Sequence, residues 1–558
     1  MPEIRYVCLS DLHFGAENSI LSCLLTGTVA VDTTKASTVL DALAAGLATL
    51  VAANDPASPK PTLILNGDVL ELALASDNVA FMVFELFLDR IFPPDGEDLF
   101  DRTIYYQPGN HDHHLWETAR ERQYSDLLDT LGPDDPLPIP WHSTRLFPEG
   151  DPRPVQSEVL DQLAARRPHR QGVNFRVSYP NMGLRSADGK TVIVFHHGHF
   201  AESIYELMTT LKDLIFPGRV EPLEVWDLEA ENFAWIDFFW STLGRSGDVG
   251  EDVGLIYDML QSDQAIETVA RNLANGIVAR LPHKGLVGWL RGVIRPVLDW
   301  GLKKVAADVA ASERRTPKSA LSPKTQAGLL TYLGGPTVKQ LASEAPNRDG
   351  ALPEQVKFIF GHTHKPFVAS YTVPGLSKPV HAFNSGGWVV DTLAVEPLHG
   401  ANMVLIDENF EVACVRLYNQ ASAPGDYRVH LDDGLPAEQG PFYQRLSSLI
   451  RPGDPVWANF SAAAAGLVTE REKALATIIA NAGNPRPSGA PPAPPAPVDQ
   501  PTPPEVTKVV DAAAAEAEVA SAAAAEPAPA PAEPVAVEPE SLPAEPEPAS
   551  ESGEAADE

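Results

Sequence analysis

Five short apolar runs in this chain each break off into glycine, aspartate, asparagine or histidine, and this repeated arrangement constrains the fold more than any other feature. Residues 4–9 run into SDLHFG, 62–65 into NGDVLE, 103–106 into QPGNHDHH, 191–195 into HHGHF and 357–360 into GHTHKP. Short β-prone runs bounded by turn formers read as buried strands. Residues 38–53, rich in Ala and Leu, carry a helical pattern, and residues 381–383, 402–406 and 412–417 read as further strands. Strands mixed with helices in this way predict an α/β fold.

In such folds the loops at the carboxyl ends of strands converge on one crevice. The polar clusters would therefore bring together Asp11 and His13, Asp68, the trio Asn110, His111 and Asp112, then His197, and finally His362 and His364. Within GHTH the two histidines are i and i+2 of an extended segment, so their rings project to the same side. Carboxylate, imidazole and amide oxygen together form a ligand set for a hard-to-borderline divalent cation. A bridging carboxylate with ligands on either side is what a two-metal centre requires.

Composition narrows the partners. The 558 residues are 44% hydrophobic with a formal net charge of −33, of which 485–558 carries fifteen acids against Arg486 and Lys508. A chain this acidic is a poor general binder of nucleic acid, because phosphate backbones need clustered Lys and Arg. Cys8, Cys23 and Cys414 are odd in number and form no CxxC, which argues against a disulfide framework and for a reduced, cytoplasmic compartment. The amino-terminal residues lack a basic segment followed by a long apolar one, and no apolar stretch reaches membrane-spanning length, so neither a signal peptide nor a transmembrane helix is expected.

Four regions follow. Residues 1–199 form the first part of a core, 200–351 a mostly helical insert or cap, 352–482 the second part of the core with a carboxyl-terminal helix, and 483–558 a Pro/Ala/Glu-rich acidic tail. The insert contains the aromatic cluster ENFAWIDFFW at 231–240 and a basic amphipathic stretch at 284–305, with Pro296 as a kink. Two roles suit the basic stretch: a solvated outer face of a cap, or a peripheral contact with a membrane or lipid. The tail is expected to be disordered, since its composition cannot bury enough apolar surface to offset the entropy of ordering.

The order D-x-H, GD, GNHD, HGH, GHxH resembles the calcineurin-like metallophosphoesterase superfamily across roughly residues 4–420. The resemblance implies a four-layer αββα sandwich and two divalent ions (Mn, Fe, Zn or Mg). Asp11, His13, Asp68 and His364 would hold one ion; Asp68, Asn110, His197 and His362 would hold the other. His111 would reach the substrate and Asp112 would orient it, while His196 and His199 would stand behind the ligands. The implied activity is hydrolysis of a phosphomonoester or phosphodiester by a hydroxide bridging the two ions. Val69, Leu70 and Glu71 stand where purple acid phosphatases have a tyrosine, and Leu72-Ala73 breaks the GDxxDRG pattern of phosphoprotein phosphatases. NGDVLEL and GHTHKP are similar to the UDP-diacylglucosamine pyrophosphatase branch, although His111 stands where that branch carries arginine. Hydrolysis of a nucleotide-linked lipid at a membrane surface is thus an alternative, and a catalytically inactive scaffold is another. Trp388, in NSGGW, is expected to be core.

Overall fold

A computed structural model describes residues 2–149, 151, 154–216, 224–237, 313, 319–345 and 351–481. The basic stretch 284–305 and the tail 483–558 lie outside the described residues, as does the end of the aromatic cluster.

In chain order the elements are β1 (Ile4–Leu9), α1 (Thr38–Val51), β2 (Thr62–Asn66), α2 (Asp77–Ile91), β3 (Thr103–Gln107), α3 (His114–Leu128), β4 (Val155–Gln156), α4 (Glu158–Ala165), β5 (Asn174–Val177), β6 (Asn181–Arg185) and β7 (Thr191–His196). Then come α5 (Leu207–Ile215), α6 (Val225–Ile236), α7 (Pro323–Tyr332) and α8 (Val338–Glu344) from the insert. The chain returns with β8 (Gln355–Phe360), β9 (Phe367–Tyr371), β10 (Val380–Asn384), β11 (Gly400–Asp407), β12 (Val412–Asn419), β13 (His430–Leu431), α9 (Pro441–Leu449) and α10 (Pro455–Asn481). Each of the strands read above, and the helix read at 38–53, forms that element within a few residues at its ends.

The strands make two mixed sheets. One has the order β13-β12-β11-β1-β2-β3-β5-β4 and the other β6-β7-β8-β10-β9. β1, β2, β3 and β5 run parallel in the first; β7, β8 and β10 run parallel in the second. Because side chains alternate across a strand, each strand feeds two cores. Cys8, Ile64 and Tyr105 point inward against Ile193, Phe195, Ile359 and Phe383 of the second sheet. Their neighbours Val7, Leu9, Leu63, Leu65, Ile104 and Tyr106 point outward under α1, α2, α4, α9 and α10. On the far side Val192, Val194, Phe358 and Phe360 pack beneath α6, α7 and α8. The result is a layered α/β sandwich with helices on both outer faces. The parallel strands of the two sheets present their carboxyl ends to a common edge.

Helix α1 shows how locally the sequence dictates its elements. Ser37 caps it by accepting the Leu40 N–H at 3.1 Å. Leu40, Leu43, Leu47 and Leu50 then repeat at helical spacing and are buried. Gly46 lets α1 approach α10 closely: a Cβ there would stand 2.7 Å from Cζ3 of the buried Trp457. Arg471, fully buried on α10, donates to the carbonyls of Ser19 and Ser22 and so ties the helix to the loop after β1.

This contact predicts a sign reversal. In an open helix Gly→Ala gains about 1 kcal/mol. At Gly46 the added methyl meets Trp457, so Gly46→Ala should cost about 1–3 kcal/mol. In a Trp457→Ala background the same change should stabilise. Urea unfolding midpoints of the four proteins measure the reversal.

Candidate metal centre

Each loop at the shared edge begins where a parallel strand runs out of ladder partners. Asp11 and His13 follow β1, Asp68 follows β2, Asn110 to Asp112 follow β3, His197 follows β7, and His362 and His364 follow β8. The loops are stitched edge to edge: Asp11 N donates to Gly67 O and His13 N to Asp68 O, both at 2.9 Å, and Gly361 N donates to His197 O at 2.8 Å. The last of these bonds joins the two loops of the second sheet, while Asp11 Oδ1 accepts His362 N at 2.8 Å and so joins the first sheet to the second.

Backbone strain is concentrated here. Among the described residues, the non-glycine positions with positive φ are Asp11 (51°), His13 (46°), Asp68 (49°), His362 (70°), His364 (56°) and Phe410 (64°). All but Phe410 are side chains singled out above as ligands. Left-handed backbone is rare for such residues and persists only where the surroundings enforce it. Glycines make the enforcement possible. A Cβ on Gly67 or Gly109 would collide with the His197 ring or Asp68, and one on Gly387 with the His364 ring.

The side chains so placed form three buried groups, each offering ligand atoms within 4.8 Å of one another: Asp11, His13 and His364; His13, Asp68 and His111; Asp68, His197 and His362. Asp68 Oδ2 lies 3.2 Å from His197 Nε2, 3.7 Å from His13 Nε2 and 4.0 Å from His111 Nε2, so it is common to the two sides. Asn110 Oδ1 stands 3.1 Å from His197 Nε2. Two contacts are informative about what belongs between these groups. His13 Nε2 faces His364 Nε2, and His197 Nε2 faces His362 Nδ1, each at 3.3 Å. Ring nitrogens turned on one another beside carboxylates present converging lone pairs, the donor chemistry of a divalent cation. The residues present fit such an ion. Burial opposes charge on Asp11 and Asp68, yet the facing imidazoles outweigh it and hold both below the usual carboxylate range.

Carboxylates stand behind these rings. Glu71 Oε2 lies 2.8 Å from His13 Nδ1, and its Oε1 lies 2.8 Å from His111 Nδ1. Asp391 Oδ2 is 2.5 Å from His364 Nδ1, and Glu202 Oε1 is 3.1 Å from His362 Nε2. Such partners fix the tautomer and raise ligand basicity. The sequence reading missed all three. Glu71 could have been flagged as an acid inside the apolar string VLELAL, and Asp391 as one closing GGWVVD; Glu202 left no such signal.

Asp112 differs from the role its motif suggested. Its carboxylate collects the N–H groups of Gly109 (2.6 Å), Asp68 (3.2 Å) and Val69 (2.9 Å) and the Tyr106 hydroxyl (2.5 Å). It shapes the loops, and Glu71 holds His111. His113, the residue after GNHD, is fully buried, with Nε2 3.2 Å from Glu229 on α6. His196 and His199 are buried among aromatic rings: His196 packs against Tyr332 and Phe200, and His199 lies 3.2 Å from the Tyr179 hydroxyl. Burial pushes both well below the ordinary histidine value. Trp388 is buried in the core against Tyr418 and Phe460. Asn384, at the start of its NSGGW stretch, donates to Gly361 O and Thr363 Oγ1 at 3.0 and 3.1 Å and braces the GHTH loop from below.

No protein-family model matches the chain, and no curated protein matches it.

Two predictions follow from this geometry. Asp68→Asn should weaken uptake of Mn(II) or Zn(II) by at least about 10–100-fold, read by calorimetric titration of chelator-stripped protein. Burial would lower the His113 pKa, but Asp237 and Glu229 outweigh it and push it up to about 9. A raised folded pKa means stability that is full below the unfolded value near 6.5 and lost as pH climbs through about 9. His113→Gln should remove that pH slope, on the order of 2–3 kcal/mol, in denaturant midpoints measured from pH 6 to 9.5.

Proposed function

We propose that the chain is a metal-dependent phosphoesterase of the calcineurin-like type, with two divalent ions sharing Asp68. The observation that carries this reading is the single carboxylate of Asp68 standing between two groups of buried His and Asp ligands drawn from both sheets. The layered sandwich, with its site at the carboxyl ends of parallel strands, supports the finer assignment to the metallophosphoesterase fold. Asp11, His13, Asp68 and His364 would hold one ion; Asp68, Asn110, His197 and His362 would hold the other.

Bound there, the ions supply positive charge for phosphoryl oxygens and lower the pKa of water at neutral pH. The chain does the rest. His111, its Nδ1 anchored on Glu71, turns Nε2 toward Asp68 across 4.0 Å and so faces whatever the centre holds. From that position, when Nε2 carries a proton as well as Nδ1, the imidazolium hydrogen-bonds a phosphoryl oxygen and gives the Nε2 proton to the leaving oxygen. Asp112 and Tyr106 keep the GNHD loop in place, so the imidazole does not have to be reoriented during the reaction. Among the described residues no helix is long and apolar enough to cross a membrane.

The test is hydrolysis of bis-p-nitrophenyl phosphate and p-nitrophenyl phosphate by Mn-loaded protein, with chelator as the blank. Metal-dependent turnover of either ester is expected, and the preferred one sorts diesterase from monoesterase. His111→Ala should lower kcat by about 10²–10⁴-fold with metal content unchanged. Equal rates with and without chelator, or metal-loaded protein inert toward both esters, would overturn the proposal.

A further inference from the structure

Glu71 has more to do than a carboxylate behind one histidine ordinarily would. It is 2% exposed and sits in the loop after Asp68. Its Oε1 accepts the N–H groups of Ala73 (3.2 Å) and Leu74 (2.9 Å), so its own turn fixes the carboxylate before any ring reaches it. Two imidazoles then arrive from different strands. His13 Nδ1 lies 2.8 Å from Oε2, and His111 Nδ1 lies 2.8 Å from Oε1 and 3.0 Å from Oε2. The two rings meet edge to face with centroids 4.8 Å apart. A carboxylate accepts and cannot donate. Both Nδ1 atoms must therefore carry the proton, and both Nε2 atoms face Asp68 Oδ2, at 3.7 and 4.0 Å.

We propose that Glu71 is a positioning residue that sets the tautomer of His13 and His111 together, so that one carboxylate directs a ligand nitrogen and the substrate-facing nitrogen at the same centre. The role of His111 in this statement rests on the phosphoesterase reading; the shared tautomer does not. The consequence is a coupling. Moving Glu71 to suit one ring disturbs the other, so ion binding at His13 and the aim of His111 are adjusted as a unit.

Glutamine separates this role from simple support of the turn. Glu71→Gln keeps an oxygen for Ala73 and Leu74, but it offers a second imidazole an NH2 group in place of an acceptor. The oxygen that serves the turn is Oε1, on which His111 also lies; the NH2 then stands at the Oε2 position, so His13, whose Nδ1 lies on Oε2, must invert its tautomer or turn away. Glu71→Asp keeps both acceptor oxygens one methylene short and serves as the second variant if the amide fails to fold. Three readouts on the full chain decide the matter. In metal-stripped, 15N-histidine-labelled protein at alkaline pH, wild type should show His13 and His111 both protonated at Nδ1, and Glu71→Gln only one of them. Mn(II) titration should show affinity lowered by up to about tenfold. On whichever nitrophenyl ester wild type hydrolyses, kcat should fall about 10–100-fold at unchanged KM, with partial recovery in Glu71→Asp. Both rings still protonated at Nδ1 in Glu71→Gln, or an Nε2–H tautomer on either ring in wild type, would overturn the proposal. Inactive wild type with the predicted tautomers would instead fault the phosphoesterase reading and leave Glu71 in its assigned role.

Discussion

The site depends on two sheets sharing one core. Cys8, Ile64 and Tyr105 from one sheet interlock with Ile193, Phe195, Ile359 and Phe383 from the other, and this contact sets where the strand ends meet. A side-chain period of two means that a slip of one residue in any of these strands would turn its inward set outward. It would also carry the following Asp or His to the wrong face. The same interlock that excludes water from the middle of the protein therefore brings Asp11 and Asp68 from one sheet to His197 and His362 from the other. No element supplies enough ligands alone, so the centre exists only as a property of the packed sandwich.

That packing also holds the loops in conformations they would not choose. Five candidate ligand positions sit in the left-handed region, each at a cost of order 1–3 kcal/mol. The offset comes from bonds that only the assembled loops can make: Asp112 gathers backbone N–H groups from the GD and GN loops, and Asp11 accepts the His362 N–H. Acids then back the imidazoles from outside the ligand set, with Glu71, Glu202 and Asp391 on different segments. The candidate ligands and the carboxylates behind them hold one another in place, which stiffens the centre.

Much of this was legible in the sequence, for an identifiable reason. Strands buried on both faces must be apolar throughout, so β1, β2, β3, β7 and β8 announce themselves, and the polar residues that end each run stand out against it. β6 did not, because Asn181 and Gly183 break the pattern. In the folded chain Asn181 is buried but satisfied by Tyr332 and Gln340 from the insert, partners more than 150 residues away. The burial of His113 is hidden for the same reason: its partner Glu229 lies 116 residues on, and nothing local hints at it. Asp112 shows the limit of a motif. Its oxygens are taken up by backbone N–H groups and the Tyr106 hydroxyl, while the ring it was expected to orient is held by Glu71. Polar residues whose role depends on a distant partner are the ones a single sequence hides.

The position of β1 has a consequence for how the chain is made. It lies in the interior of its sheet, paired on one side with β2 and on the other with β11. During synthesis β2 follows within tens of residues, but β11 begins only at Gly400. At ribosomal rates of about 5–20 residues per second, the far edge of β1 waits roughly 20–80 s for its partner. Through that interval a strand of the finished interior is an open edge, with its own side chains Val7 and Cys8 half covered. The nascent protein is thus open to misassociation along β1, a strand made well before its second partner.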